Sequence, residues 1–164
     1  MAVQLNIKLQ GFDVLKQRLS ALPERLRRNI MRGGMRAAVA VIRGVARNLV
    51  PVGRTGSLRR SIRVSTRAFR DGRIEGKVTA GGKLAYYANI VEGGAKPHEI
   101  RVSGAAKALN LGNRVLVKKV QHPGFQGRRV MERTANQSEA AASNAFANYV
   151  NYRVDLFLAT GRDR

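Results

Sequence analysis

The sequence has no cysteine and no tryptophan, and it holds only two histidines. Without thiols it can form neither disulfides nor thiolate metal sites, and the redox compartment is left open. Aromatic residues make up 5% of the chain. A core must therefore be assembled from Leu, Val, Ile and Ala, and such a core is thin for 164 residues and favours partners. Acidic residues are scarce as well: 10 Asp and Glu stand against 31 Lys and Arg, giving a formal charge of +21 and a sequence pI near 11.7. Charge on that scale repels itself in a lone compact monomer and draws polyanions or acidic protein surfaces. It also exceeds what solubility asks of a small domain. Long apolar runs are missing too, since nothing approaches the roughly 18 consecutive apolar residues of a membrane span. Residues 1–9 alternate apolar and polar side chains and have neither a basic n-region nor the continuous apolar stretch of a signal peptide. A soluble product of the cytoplasm is expected, with no membrane partner.

The inventory for catalysis is equally short. His98 and His122 sit beside Pro or Gly in expected loops, with no second histidine four residues on, so a metal site lacks ligands at useful spacing. Glu75, Glu92, Glu99, Glu132 and Glu139 are scattered and never form the acidic cluster of a two-metal nuclease. None of the 17 glycines falls in a Walker A loop or a dinucleotide fingerprint. No enzyme activity, cofactor, metal or small-molecule substrate is expected. Glu92 reads as a structural acceptor for nearby Arg or backbone donors.

What is present is enough apolar residue to fold, 44% of the chain, arranged with clear periods. Val3, Leu5, Ile7 and Leu9 alternate with polar residues as in a half-buried strand ended by Gly11. Phe12, Leu15, Leu19 and Leu22 recur at three and four residues, predicting a short helix, after which Pro23 opens a long one over 24–49. On that helix Ile30, Met31, Ala38, Val41, Ile42, Val45 and Leu49 share one half of the wheel. Arg28, Arg32, Arg36, Arg43 and Arg47 gather opposite, a stripe expected to face DNA or an acidic partner. Gly33 and Gly34 interrupt the helix, each costing up to about 1 kcal/mol relative to Ala, and predict a bend or a close helix contact. Pro51 to Gly56 must end it.

Beyond, the period becomes two. Ile62, Val64, Thr66 and Ala68 predict one strand face, Asp71-Gly72 a hairpin turn, and Ile74, Val78 and Ala80 the return strand. Residues 84–92 fit either a strand or a helical turn. Residues 98–102 read as extended, 103–112 as a loop, and 115–120 as a strand stopped by His122-Pro123-Gly124. A last long helix is predicted over 129–158, with Met131, Ala135, Ala142, Phe146, Tyr149, Val150 and Phe157 on one side. The expected class is α+β: a small antiparallel or mixed sheet with a hairpin, packed against a central and a C-terminal long helix and a short N-terminal one. A single domain over 1–164 is expected, with a frayed tail at 160–164.

Three ordered segments carry a resemblance. A long Ala/Arg-rich helix leads into Pro-x-x-x-Thr-Gly-x-Leu-x-x-Ser-Ile at Pro51 to Ile62. Tyr-Ala-x-x-Val-Glu-x-Gly follows at Tyr87 to Gly94, and a strand ending in His122-Pro123-Gly124 precedes the last helix. In this order, over roughly residues 5–155, the chain resembles the tail-completion or neck protein family of lambdoid long-tailed double-stranded DNA phages, also labelled head-tail connector or minor tail proteins. It departs from that pattern at Gly93-Gly94-Ala95 and at Arg128-Arg129-Val130-Met131, which leaves the expected fold intact and bears on loop contacts. The resemblance implies a structural virion protein, made in the host cytoplasm, that forms a homo-oligomeric ring, commonly of six subunits. The ring would lie between head-closure or adaptor proteins and the tail terminator, around the DNA channel. It further implies subunit or neighbour contacts at Pro51, Arg54, Gly56, Leu58, Arg59, Tyr86, Tyr87, Glu92, His122 and Pro123. Read from the residues alone, Pro51 to Ile62 is equally an ordinary helix-to-strand connection, and Tyr86 and Tyr87 suit a core edge as well as an interface. The charge by itself would also suit a stand-alone, sequence-independent nucleic-acid-binding protein.

Overall fold

Alternation at the N-terminus produces β1 (Ala2–Ile7), and the three-and-four spacing after it gives α1 (Asp13–Ser20). The computed structural model describes residues 2–7, 13–104, 108–111 and 115–161; Leu9, Gly11 and Phe12, used in the sequence reading, lie outside them. α2 (Glu24–Leu49) starts after Pro23 and stops at Val50, whose N–H donates to Ala46 O at 3.0 Å, just before Pro51. A single turn, α3 (Ser57–Arg60), leads to β2 (Arg63–Ala68), the Asp71-Gly72 turn and β3 (Ile74–Gly81). The three strands form one antiparallel sheet in the order β1-β3-β2, in which Leu5, Val78 and Val64 stand in one cross-strand row.

The ambiguous stretch after the sheet is helical: a 3-10 turn over Lys83–Ala85, then α4 (Ala88–Gly93). From there the chain runs out and back as paired short strands. β4 (Gly94–Ala95) pairs with β9 (Phe125–Gln126), β5 (His98–Arg101) with β8 (Lys119–His122), and β6 (Leu109–Asn110) with β7 (Leu116–Val117). Bonds from Val102 N–H to Lys118 O and from Leu111 N–H to Val115 O, at 3.2 and 3.1 Å, join the pieces into one two-stranded ribbon. The strand expected over 115–120 is thus broken at Lys118; of the expected loop over 103–112, residues 105–107 and 112 lie outside the described residues, and Leu109–Asn110 forms a two-residue strand. α5 (Val130–Thr160) closes the chain. Thr160, assigned to the tail in the sequence, continues this helix, since its hydroxyl donates to Leu156 O at 2.7 Å and Gly161 supplies the left-handed cap with φ 64°.

The core lies between the sheet, α2 and α5. α2 packs against β2 and β3 and most extensively against α5, which also touches β1, α1 and α4. The buried positions of both helices step by four: Leu26, Ile30, Gly34, Ala38, Ile42 and Ala46 on α2, and Val130, Thr134, Ser138, Ala142, Phe146, Val150 and Val154 on α5. Rows of spacing four are the ridges that interdigitate in the commonest helix packing, and each step advances 40° round the helix. The buried side of α2 therefore winds, and Met31, Val41, Val45 and Leu49, expected in the core, are only half-buried. Gly33 and Gly34 mark the close contact expected of them. A Cβ on Gly33 would overlap the Tyr149 ring, and one on Gly34 would lie 2.9 Å from Phe146 and Val150. On the sheet side Gly76 serves the same end, as a Cβ there would lie 2.7 Å from Met35 Sδ. Thr134 and Ser138, buried in the α5 row, return their hydroxyls to Val130 O and Thr134 O at 2.7 Å, so no buried hydroxyl is orphaned there.

Candidate functional site

The arginine stripe of α2 divides in two. Arg28, Arg32 and Arg36 are exposed, whereas Arg43 and Arg47 are half-buried, because the winding of the buried row carries the exposed line through Ala40, Gly44 and Asn48 instead. Arg47 Nε is buried without a hydrogen-bond partner. Beside the exposed half stands the tip of the β2–β3 hairpin, which brings Arg67 and Arg70 to the adjoining surface, with Arg73 over the Phe69 ring behind them. None of these three belongs to the stripe expected from the sequence. Their signal was present in the Arg67-Ala68-Phe69-Arg70-Asp71-Gly72-Arg73 run, a density of arginine at a turn where the adjoining strand must be solvated on one side.

The segment Pro51 to Ile62 is built around its own core contact. Leu58 is only 4% exposed, and Ile62 is buried beside it. Gly56 adopts φ 61° at the start of α3, and Ser61 accepts from Gly81 N–H at 2.9 Å while donating to Leu58 O at 2.7 Å. Leu58 is thus held within its own subunit, while Arg54 and Arg59 are exposed and Pro51 is half-buried.

Tyr86 and Tyr87 meet edge to face with ring centroids 5.7 Å apart. Tyr86 is 71% exposed, and Tyr87 packs against the core. Glu92, at the end of α4, turns inward to the start of α5: Met131 N–H donates to both carboxylate oxygens, at 2.9 and 3.1 Å. Arg128 N–H and Arg129 N–H donate to Val91 O and Glu92 O alongside it. α5 has no side-chain cap of its own, and Arg129 occupies a left-handed conformation with φ 45°. The acceptor role read for Glu92 is therefore filled by backbone donors of a distant helix, which the positive end of its dipole reinforces.

His98 and His122 face each other across β5 and β8, their rings stacked 5.0 Å apart at 25°. His98 Nδ1 engages Lys96 O at 2.8 Å, and His122 Nδ1 accepts from Gly124 N–H at 3.0 Å. Pro123 is exposed at this turn. Among the described residues no three His, Asp or Glu come together as metal ligands, and no helix is long and apolar enough to cross a membrane.

α2 and α5 thus pack on each other and on one sheet, beside a basic surface and the junction at Tyr87 to Gly94. A family model described as bacteriophage HK97-gp10, a tail component, matches residues 13–94, which is half of the chain. The chain belongs to the HK97-gp10-like tail-component family. It is a family of structural tail proteins rather than of enzymes, and it associates the chain with the virion and with other virion proteins. No curated protein and no solved structure matches the chain. The HK97-gp10-like match takes in α1, α2, the β2–β3 hairpin and α4 and ends at Gly94, where the ribbon begins. Two of the three segments behind the resemblance, Pro51 to Ile62 and Tyr87 to Gly94, fall inside it, and His122 to Gly124 falls beyond it.

Proposed function

We infer that this tail component is a structural subunit of the phage neck, at the head-proximal end of the tail. It assembles there as a ring of six copies between head-closure or adaptor proteins and the tail terminator, around the double-stranded DNA channel. The observation that carries this reading is the HK97-gp10-like match over residues 13–94. The ribbon supports the assembly part: it leaves Leu111, Val115, Leu116 and Phe125 exposed on a two-stranded element, and such elements are marginal in water unless something packs on them. Copies of a chain with charge +21 can be gathered only where anions or acidic subunits lie close, which a DNA channel provides. Arg28, Arg32 and Arg36 are assigned to that counterpart. Arg54, Arg59, Tyr86 and Pro123, all exposed, are assigned to neighbouring subunits. Deleting the gene should leave heads and tails that fail to join, or defective tails, seen by electron microscopy of lysates; normal infectious particles from the deletion would overturn the reading. The same basic surface favours a second reading, a stand-alone DNA-binding protein, and tight DNA binding by a free monomer absent from purified virions would select it.

A further inference from the structure

Two elements distant in sequence line one trough with arginine. The first half of α2 supplies Arg25, Arg28 and Arg32, which with Glu24, Asn29 and Ala68 enclose a recess of about 470 Å³. Ala68 also borders a recess of about 510 Å³ walled by Arg67, Phe69, Arg70 and Asp71 at the hairpin tip. The two recesses adjoin at Ala68 and together form a trough, with guanidinium groups of a helix on one side of that residue and of a hairpin on the other.

These charges are not consumed within the subunit. Arg73 is paired with Asp71 and Glu75, at 3.7 and 3.2 Å, so the hairpin's own acids are already engaged. Among the described residues no ion pair involves Arg25, Arg28, Arg32, Arg67 or Arg70. Arg67 is held in place from below, with its guanidinium carbon 4.8 Å from the Phe69 ring centre, and Arg73 lies over the same ring at 4.4 Å.

The choice of cation points the same way. Residues 17–76 contain 15 arginines and no lysine, whereas residues 77–119 contain six lysines and two arginines. Residues 120–164 are likewise free of lysine and hold six arginines, so the bias includes the trough's elements without being confined to them; arginine's planar fork is the donor that fits phosphate oxygens in pairs.

We propose that this trough is a clamp for the phosphodiester backbone of double-stranded DNA, with Arg28 and Arg32 on one wall and Arg67 and Arg70 on the other. From Arg25 to Arg32 α2 rises about 10 Å, over which one DNA strand presents about three phosphates. The lining argues against an acidic protein surface as the occupant. Protein interfaces centre on an apolar, desolvated patch, and this trough offers only Ala68 and Phe69. The assignment rests on the neck reading for the presence of duplex DNA, and on the trough alone for where that DNA is held.

The test uses the purified full-length chain and a fluorescent 20-base-pair duplex, titrated by anisotropy across a salt series. Arg28→Gln/Arg32→Gln and Arg67→Gln/Arg70→Gln each empty one wall; Lys83→Gln/Lys118→Gln removes the same charge elsewhere. Each wall variant should lower the slope of log affinity against log salt by about 1.8, at about 0.9 for each phosphate no longer neutralised, with an unchanged circular dichroism melt. The lysine variant should change it far less. Equal losses in all three variants, or none in the wall variants, would overturn the clamp. So would polyglutamate competing as well as duplex of equal charge and losing affinity in step with it, which would make the trough an acidic-protein dock. Phage complementation separates this from the function above. Wall variants that bind DNA normally while the deletion fails to join heads and tails defeat the clamp alone. Wall variants that lose DNA while the deletion gives normal particles defeat the neck reading and leave the clamp standing.

Discussion

Glu92 sits at the end of a six-residue helix and acts at the start of a 31-residue one. Its two oxygens receive the same Met131 N–H, and its charge meets the positive end of α5. Removing a helix cap costs about 1 kcal/mol, up to about 2, and the charge adds part of that. Glu92→Ala should therefore lower unfolding free energy by about 1–2 kcal/mol, and Glu92→Gln, which keeps an acceptor and loses the charge, by about half as much. Urea unfolding at unchanged m-value measures both; an alanine variant as stable as wild type would refute the capping role. That Glu92 is a structural acceptor was legible from its setting among Tyr, Ala and Gly. Its donor was not, because Met131 is 39 residues away and nothing in the local pattern reaches so far. The same limit hid the burial of Leu58: a leucine between Gly56 and two arginines reads equally as a contact or as a core residue until the sheet beneath it is placed.

At the scale of elements, the helices and the hairpin were readable because their signals are local. Prolines at 23 and 51 bracket α2, and Asp71-Gly72 marks the turn between strands whose alternation is intact. The faces were harder to read. A wheel drawn at a fixed angle averages over a buried row that drifts by 40° every four residues, so it kept Arg43 and Arg47 in the exposed stripe and left Leu26, Met35, Val39 and Ala46 out of the core. The glycines of α2 give an opposed pair of expectations. At Gly34 an added methyl would press on Phe146 and Val150, and overpacking of about 1–3 kcal/mol outweighs the helix-propensity gain of up to about 1 kcal/mol. Gly34→Ala should destabilise. At Gly44 an added methyl would have nothing within 4 Å of it, so Gly44→Ala should stabilise by about 0.5–1 kcal/mol. Thermal melts of the two variants should move in opposite directions; a shift of the same sign would show that the α2–α5 contact is slack at Gly34.

For the whole molecule, the ribbon was the least legible part. Its strands are two to four residues long, too short for alternation to declare itself, and its partners, such as His98 and His122, lie 24 positions apart. Its energetics give a further expectation. Few apolar side chains anchor it, and Leu116 is 66% exposed, so amide exchange over residues 98–104 and 115–122 should be fast in the isolated subunit and slow in assembled particles. Equal protection in the two states would mean the ribbon is finished without a neighbour.

The root of that ribbon has a mechanical meaning. Both of its strands leave through a pinch where backbone lies on backbone: a Cβ on Gly127 would overlap the Glu92 carbonyl, and one on Gly94 would lie 2.5 Å from Gly127 N. The ribbon is thus a lever whose bearing is the Gly94–Gly127 crossing. The Arg128 and Arg129 bonds to Val91 and Glu92, with the Glu92–Met131 bond beside them, tie that bearing to the first turn of α5. A pull on the ribbon is delivered to the longest helix in the molecule through that first turn, and to the three-stranded sheet through α4, which packs on β1 and β3.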